Sequence, residues 1–129
     1  MESINVHNAP DAIGPYCHAM KTGNLLFCSG QTPLHPDTMR LVGTTIEEQT
    51  RRVIENLSIV LAGADLTLQH VVKTTVYLKD MNDFKGMNKI YEEMFRGHKP
   101  SRTTISIKQN PLDALIEIEC IAELPQKHP

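Results

Sequence analysis

The residues best suited to chemistry are an arginine and two glutamates in the last third of the chain. Arg102 begins an alternating stretch over 102–107, and Glu117 and Glu119 lie in a second alternating stretch over 115–123. A planar guanidinium can bind a carboxylate through two parallel hydrogen bonds. A glutamate nearby can hold and activate a water molecule. These residue types therefore suit a site that binds a small carboxylate and delivers water to it.

The two stretches predict strands whose polar faces meet. Because successive side chains of a strand point to opposite faces, Arg102 shares a face with Thr104, and Glu117 shares one with Glu119. A turn at 110–111 predicts that the strands pair as a hairpin, which would bring these four side chains together. The pattern alone leaves two interpretations open. One is a cross-strand ion pair worth about 0.2–1 kcal/mol if exposed, and the other is a concave site in which the guanidinium faces a ligand.

The opposite face of each predicted strand is mostly apolar. In the second strand this face suits a core covered by helices. The apolar faces consist of Thr103, Ile105 and Ile107 in the first strand and of Ile116, Ile118, Cys120 and Ala122 in the second.

The clearest helix is predicted over 46–62. Its apolar residues recur at helical spacing on one face. Thr45 and Glu48 form a capping-box pattern before it, and Gly63 suits its C-terminal end. The apolar stripe consists of Ile46, Val53, Ile54, Leu57, Val60 and Leu61.

The remaining elements predict an α+β fold. A second helix is expected over 82–95, strands over 24–29 and 71–79, and a loop over 31–43. The order is strands, helix, strand, helix, strands. Such an order favours two helices packed on one face of a mixed sheet, and the length of 129 residues fits one domain spanning 1–129.

Composition and charge disfavour several classes of protein. The formal net charge is −2 and no run of basic residues exceeds Arg51–Arg52, so a nucleic-acid partner is not expected. No apolar run is long enough to span a membrane. The six histidines show no HxxxH or HExxH spacing, which disfavours a metal site. Three scattered cysteines and no readable signal peptide favour a cytoplasmic protein without disulfides.

Motifs along nearly the whole chain resemble those of the YjgF/YER057c/UK114 family, also called the reactive intermediate deaminase family. Several motifs in the family's order make the resemblance more specific than any one of them. They are Ala-Ile-Gly-Pro-Tyr at 12–16, Phe-Cys-Ser-Gly-Gln at 27–31, Val-Tyr-Leu-Lys-Asp at 76–80, the helix segment 88–91, Pro-Ser-Arg at 100–102 and Ile-Glu-Ile-Glu at 116–119.

The resemblance implies a fold, an assembly and an activity. The expected fold is a chorismate-mutase-like mixed sheet with two helices, and the expected assembly is a homotrimer with a central barrel and three sites at the subunit interfaces. Active members hydrolyse 2-imino acids such as 2-iminobutanoate and 2-iminopropanoate, or their enamine tautomers, to 2-keto acids and ammonia. They use no cofactor.

The resemblance also implies roles for single residues. Arg102 corresponds to the residue that binds the substrate carboxylate, and Glu117 to the acidic residue that orients the hydrolytic water. Tyr16 and Ser29 correspond to residues that line the pocket. Asn88 corresponds to a further polar residue of the site. Considered without the resemblance, Tyr16 could equally be a packing tyrosine, Ser29 a turn cap, and Asn88 a group that bridges backbone atoms.

The substrate-binding position Thr104 departs from the best-known deaminases, which have a cysteine there. This departure leaves a small polar side chain and bears on substrate preference more than on fold. Three alternatives to imine hydrolysis therefore stay open. They are a non-catalytic sensor of small carboxylates, a deaminase of aminomuconate type, and the ribonuclease or chaperone-like role described for some members.

Overall fold

The computed structural model describes residues 1–126, which form a six-stranded mixed sheet with two α-helices on one face. This arrangement confirms the predicted α+β class and the placement of the helices. The strands are β1 (Glu2–Ile4), β2 (Ala19–Thr22), β3 (Leu25–Gln31), β4 (Val71–Leu78), β5 (Ser101–Ser106) and β6 (Ile116–Glu123), and the helices are α1 (Ile46–Ala62) and α2 (Phe84–Phe95).

The order of strands across the sheet is β1-β2-β3-β6-β4-β5. All neighbouring pairs are antiparallel except β4 and β5, which are parallel. Helix α2 connects these two strands, as expected because parallel neighbours need a crossover connection. Strand β5 therefore forms one edge of the sheet, and β6 lies near its middle.

The predicted hairpin between 102–107 and 115–123 is wrong, because β4 lies between these strands. Thr74 of β4 pairs with Arg102 on one side and with Cys120 on the other. Paired residues share a face of the sheet, so Arg102 lies on the face that the helices cover. Glu117 and Glu119 lie on the opposite, open face. The α2 crossover that precedes β5 places this strand beside β4. The turn that follows β5 does not determine its pairing.

The apolar face of β5 is the open face of the sheet. Ile105 is 41% exposed, whereas Arg102 and Thr104 are half-buried on the side of α2. In β6 the pattern is as predicted, since the helices cover its four apolar side chains. These are Ile116, Ile118, Cys120 and Ala122, each at most 3% exposed.

Both predicted helices are present. Helix α1 spans the predicted residues, and Thr45 and Glu48 form the predicted capping box. Gly63 caps its C-terminus with right-handed backbone angles. A 3-10 turn over Met81–Asp83 precedes α2, which consequently begins two residues later than predicted.

Helix α1 also connects the core to the start of β6. The Gln49 side chain is 4% exposed and accepts a hydrogen bond from the backbone N–H of Leu115 at 2.8 Å. Its amide nitrogen donates to the Gly43 carbonyl at 3.0 Å. Because Leu115 immediately precedes β6, this bridge helps to set the position of the strand that carries the two glutamates.

The N-terminal segment is held by a buried histidine that had no predicted role. His18 is 4% exposed, and its Nδ1 accepts a hydrogen bond from the Val6 backbone N–H at 2.9 Å. Its Nε2 lies 2.7 Å from the Pro10 carbonyl oxygen. Because Nδ1 accepts, Nε2 is the ring nitrogen that donates to the Pro10 carbonyl. These two hydrogen bonds hold the loop that carries Tyr16.

Candidate active site

Arg102 is held against α2 by aromatic and sulfur contacts rather than by an acid. Its guanidinium carbon lies 4.9 Å from the centre of the Tyr91 ring and 5.6 Å from that of Phe84. One guanidinium nitrogen is 3.9 Å from the Met87 sulfur. Within residues 1–126 no carboxylate lies within ion-pairing distance of Arg102. The interpretation as a cross-strand ion pair is therefore wrong, and the cation keeps its hydrogen-bonding capacity for another partner.

A pocket of about 570 Å³ opens beside this guanidinium. Its lining includes Arg102, Tyr91, Asn88, Lys99 and Glu92. Asn88 and Tyr91 are three residues apart on α2, a spacing that puts both side chains on one side of a helix. The structure therefore brings Asn88 and Arg102 together. We call the group Asn88, Tyr91 and Arg102 the arginine pocket.

Tyr91 is a member of the arginine pocket for which the sequence predicted no role beyond its place in the motif segment 88–91. Its hydroxyl is 2.7 Å from the Thr74 hydroxyl, and its ring stacks on Phe95 at 4.4 Å. Burial raises the pKa of Tyr91 above its ordinary value, while the Thr74 hydrogen bond and the charge of Arg102 act in the opposite direction. The three-residue spacing from Asn88 is the signal that could have identified it.

Thr104 lies two residues beyond Arg102 on the same side of β5. Its hydroxyl oxygen is buried and has no hydrogen-bond partner among the described residues. An unpaired buried hydroxyl costs about 1–3 kcal/mol. Thr104 therefore places an unused polar group on the same face as Arg102.

A second group of polar residues surrounds an irregularity in β3 on the open side of the sheet. Cys28 pairs with Cys120 and Gln31 pairs with Ile118, so one extra residue interrupts the ladder between them as a β-bulge. Ser29 and Gly30 occupy the bulge. We call the group Ser29, Gly30, Glu117, Glu119 and Tyr77 the glutamate cluster.

The two glutamates of this cluster differ in their partners. Glu119 accepts a hydrogen bond from the Tyr77 hydroxyl at 2.6 Å, and this bond is the main reason why the pKa of Tyr77 is raised to about 12. The Glu117 carboxyl group accepts no hydrogen bond from any other residue within 1–126. Burial first, and the charge of Glu119 second, raise the pKa of Glu117 above its ordinary value. Glu117 is thus the carboxyl group with free acceptor sites.

Ser29 lines the open side of the sheet together with Glu119, and both Ser29 and Tyr16 form local hydrogen bonds. The Ser29 hydroxyl donates to the Cys17 carbonyl at 2.8 Å, and its N–H donates to the His18 carbonyl at 3.0 Å. Tyr16 is 47% exposed, and its hydroxyl accepts a 3.3 Å hydrogen bond from the Ile13 N–H. Ser29 thereby fastens the segment that follows Tyr16 to β3.

The arginine pocket and the glutamate cluster do not meet within one chain. They lie on opposite faces of the sheet, and β4 separates the strand of Arg102 from that of Glu117. Ser29 is one strand further away. At about 4.8 Å per strand, β3 and β5 are roughly 14 Å apart. A site that uses both groups must therefore include a second chain.

Residues 1–126 contain neither a metal-binding group of side chains nor a membrane-spanning helix. Residues 1–126 contain no group of three or more histidine, cysteine or acidic side chains placed to hold a metal ion. No helix among them is long and apolar enough to cross a bilayer. The cysteines Cys17, Cys28 and Cys120 are all free thiols.

The fold and these two groups define an α+β protein with an unpaired arginine on one sheet face and an unpaired glutamate on the other. The family model described as endoribonuclease L-PSP matches residues 6–124. The chain belongs to this family, which is the YjgF/RutC family. The family predicted from the motifs is thereby confirmed.

Relatives and solved structures agree with this membership. A RutC family protein of Pyrococcus horikoshii is 50% identical over 121 residues, which cover 94% of this chain and 96% of that one. The chloroplastic Reactive Intermediate Deaminase A of Arabidopsis thaliana is 42% identical over 95% of this chain and 66% of its own length. The crystal structure of Escherichia coli TdcF with bound serine superposes with a TM-score of 0.92 at 33% identity, covering 97% and 100% of the two chains.

Proposed function

We propose that this protein hydrolyses reactive 2-imino acids, or their enamine tautomers, to 2-keto acids and ammonia. The observation that carries the proposal is the Arg102 guanidinium, which has no acidic partner and lies beside an open pocket. The substrates we expect are small, such as 2-iminobutanoate and 2-iminopropanoate. The Arabidopsis relative named as a reactive intermediate deaminase supports the general class.

Arg102 binds the substrate carboxylate in this proposal. A guanidinium stacked on Tyr91 and Phe84 has little freedom to rotate, so less entropy is lost when it forms hydrogen bonds to a ligand. Each charge-assisted hydrogen bond contributes about 1.5–3 kcal/mol. Asn88 offers a further polar contact in the same pocket, whereas the Thr104 hydroxyl is buried and does not line it.

Glu117 acts as the general base that activates the water molecule in this proposal. The nitrogen of the protonated imine already carries two hydrogens. The carboxylate takes a proton from water as the water oxygen bonds to the imine carbon and the C=N π electrons move to nitrogen, which gives a carbinolamine. That proton then passes to the nitrogen, the C–N bond breaks to release ammonia, and the hydroxyl group gives its remaining proton to the carboxylate as the carbonyl forms. A base with a raised pKa accepts a proton more readily while it is ionised, and burial raises the pKa of Glu117. Its lack of a protein partner leaves its oxygens available for water.

The complete site forms between chains of a homotrimer in this proposal. The edge strand β5 of one chain brings its arginine pocket to the glutamate cluster, with Tyr16 and Ser29, of the next. Two observations support this assembly. The two groups lie on opposite faces within one chain, and the open face carries exposed apolar residues such as Phe27 and Ile105, 42% and 41% exposed.

A trapping assay tests the proposal. A dehydratase or an amino-acid oxidase generates the imine, and semicarbazide captures whatever is not hydrolysed. The wild type should lower capture and raise keto-acid release, Arg102→Ala should not, and the exposed control variant Arg40→Ala should behave as wild type. Deamination by Arg102→Ala at the wild-type rate would remove the assignment of this residue.

Binding without turnover is the second candidate function. The similarity to a structure that contains serine favours it, because serine is a small carboxylate that undergoes no hydrolysis. Melting experiments with 2-oxobutanoate separate the two functions. Ligand stabilisation that depends on Arg102, without any imine hydrolysis, would identify a sensor.

A further inference from the structure

The space beside Gly30 is filled by the carboxyl group of Glu117. A Cβ atom built on Gly30 would overlap the Oε1 of Glu117 and lie 3.0 Å from its Cδ and 3.2 Å from its Cγ. The three nearest heavy atoms to that position all belong to Glu117. The carboxyl group therefore occupies the place where any other residue at position 30 would begin its side chain.

The β-bulge explains why the two residues approach so closely. The extra residue between Cys28 and Gln31 leaves Ser29 and Gly30 without regular partners in the ladder with β6. A bulge turns the strand locally and re-aims its residues. Here the bulge brings the Cα of Gly30 against the side chain of Glu117 on β6.

Backbone conformation does not account for the glycine. The glycines with left-handed backbone angles are Gly23, Gly43 and Gly97, and Gly30 is not among them. An L-residue could adopt the Gly30 conformation without strain from φ. A β-bulge requires glycine only at a position with left-handed backbone angles, which Gly30 does not have. Close approach of another group, here the Glu117 carboxyl, is then the reason left for a glycine inside this strand.

We propose that Gly30 is a positioning residue for Glu117, and that its bare Cα is the surface on which the carboxyl group rests. The inference rests on the proposed function for the role of Glu117, but the contact itself does not. The Glu117 carboxyl group has no hydrogen-bond partner among the described residues. Its packing against Gly30 therefore limits the positions that it can adopt. A methyl group at position 30 would push the carboxyl away from where it meets water and substrate.

The displaced group is the flexible end of a side chain, so the fold can tolerate the change. Glu117 can rotate its outer bonds without moving β6. Gly30→Ala is therefore expected to leave the protein folded while the carboxyl moves towards solvent. Since burial is the main cause of its raised pKa, the pKa of Glu117 should fall towards the ordinary glutamate value.

The decisive experiment combines kinetics with a titration of Glu117. In Gly30→Ala, kcat for the imino acid should fall about 10–100-fold, because a displacement of about 1 Å can have such an effect. KM should change less than kcat, since Arg102 binds the carboxylate. Carbon-detected NMR of the glutamate carboxyl groups, assigned with Glu117→Gln, should show the lowered pKa.

A second glycine supplies the matched control. A Cβ on Gly86 would meet the Glu47 carboxyl at 2.9 Å and an Ile46 methyl at 2.6 Å, so Gly86→Ala also presses a methyl against a glutamate. That glutamate lies on the helical layer, away from β6. Gly86→Ala is expected to lower the melting temperature and to leave the titration of Glu117 unchanged.

A double substitution separates positioning from a general structural role. Glu117→Asp shortens the side chain by one methylene group and makes room beside position 30. If Gly30 acts through Glu117, adding Gly30→Ala to Glu117→Asp should lower kcat less than adding it to the wild type. Equal losses in the two backgrounds would overturn the proposal.

The remaining outcomes also decide the matter. An unchanged Glu117 titration and unchanged kcat in a folded Gly30→Ala variant would overturn the proposal. If the Gly30→Ala variant is unfolded because of the clash with Glu117, the double variant Gly30→Ala/Glu117→Ala should fold, which supports the contact. If the double variant is unfolded as well, the proposal is overturned. If the wild type hydrolyses no imine but the titration shifts as expected, the contact stands and the proposed function fails.

Discussion

The arginine pocket and the glutamate cluster hold their charged groups in opposite ways. Arg102 is held by contacts, because Tyr91 and Phe84 stack on its guanidinium and Met87 lies beneath it. The Glu117 carboxyl group packs against the Cα of Gly30, in the space that a side chain at position 30 would fill. It has no hydrogen-bond partner among the described residues. The first arrangement suits a group that binds a fixed charge, and the second suits a group that must exchange a proton with water.

The largest expected effect concerns the glutamate cluster. Glu117→Gln keeps the shape of the side chain but removes the base, so kcat for imine hydrolysis should fall about 10²–10⁴-fold. KM should change little. Steady-state kinetics with in-situ imine generation measure both. A matched control is Glu123→Gln, an exposed residue at the end of β6. A raised KM with unchanged kcat would instead assign Glu117 to binding.

The arginine pocket should respond in KM rather than in kcat. Arg102→Lys keeps the charge but loses the planar, two-pronged donor and its stacking on Tyr91. Losing one charge-assisted hydrogen bond of about 1.5–3 kcal/mol corresponds to a roughly 10–150-fold increase in KM. Calorimetric titration with 2-oxobutanoate should show a parallel loss of affinity. Full activity in this variant would mean that charge alone is sufficient and that the stacked geometry is unimportant.

The sequence predicts local features of this molecule better than non-local ones. Helix α1 was predicted with its ends because the capping box of Thr45 and Glu48 lies within four residues of the chain. The pairing of β5 was wrong because an alternating pattern shows which side chains share a face but not which strand lies next to it. That information comes from the α2 crossover, which brings β5 beside β4.

The same limit applies to the candidate site. Residue types and motifs identified Arg102, Asn88 and Glu117, and the structure places the first two in one pocket. The sequence pattern does not show that Arg102 and Glu117 lie on opposite faces of the sheet, because their relative placement depends on the order of the strands. The contact between Gly30 and Glu117 depends on a β-bulge, which has no pattern of its own in the sequence.

A smaller effect is expected from the tyrosine that supports Arg102. Tyr91→Phe keeps the ring that stacks on the guanidinium but leaves the buried Thr74 hydroxyl without its partner at 2.7 Å. The free energy of unfolding should fall by about 1–3 kcal/mol, whereas KM should stay within a few-fold of wild type. Chemical denaturation and kinetics on the same preparation check both. Tyr91→Phe combined with Thr74→Val should recover part of the lost stability.

The hydrogen bonds of His18 should affect the loop that carries Tyr16 and not the arginine pocket. His18→Leu leaves the Val6 N–H and the Pro10 carbonyl without partners, which should lower the free energy of unfolding by about 1–3 kcal/mol. His18→Gln offers one donor and one acceptor and should lose less. Hydrogen exchange at residues around Tyr16 should rise in the leucine variant only. Equal exchange in both variants would show that the two hydrogen bonds do not hold this loop.

The smallest expected effect is a gain in stability from the substitution that removes the base. Burial raises the pKa of Glu117 in the folded state, so the folded protein binds a proton more readily than the unfolded chain does. Linkage then requires that stability declines as pH rises through the interval between the two pKa values. Glu117→Gln removes this penalty, and its melting temperature should exceed that of the wild type at pH 7. The difference should vanish below about pH 4, where the carboxyl group is protonated in both states. Melting curves of both proteins between pH 3 and 8 test this. A variant less stable than wild type at pH 7 would mean that the ionised carboxylate gains more from its surroundings than burial costs it.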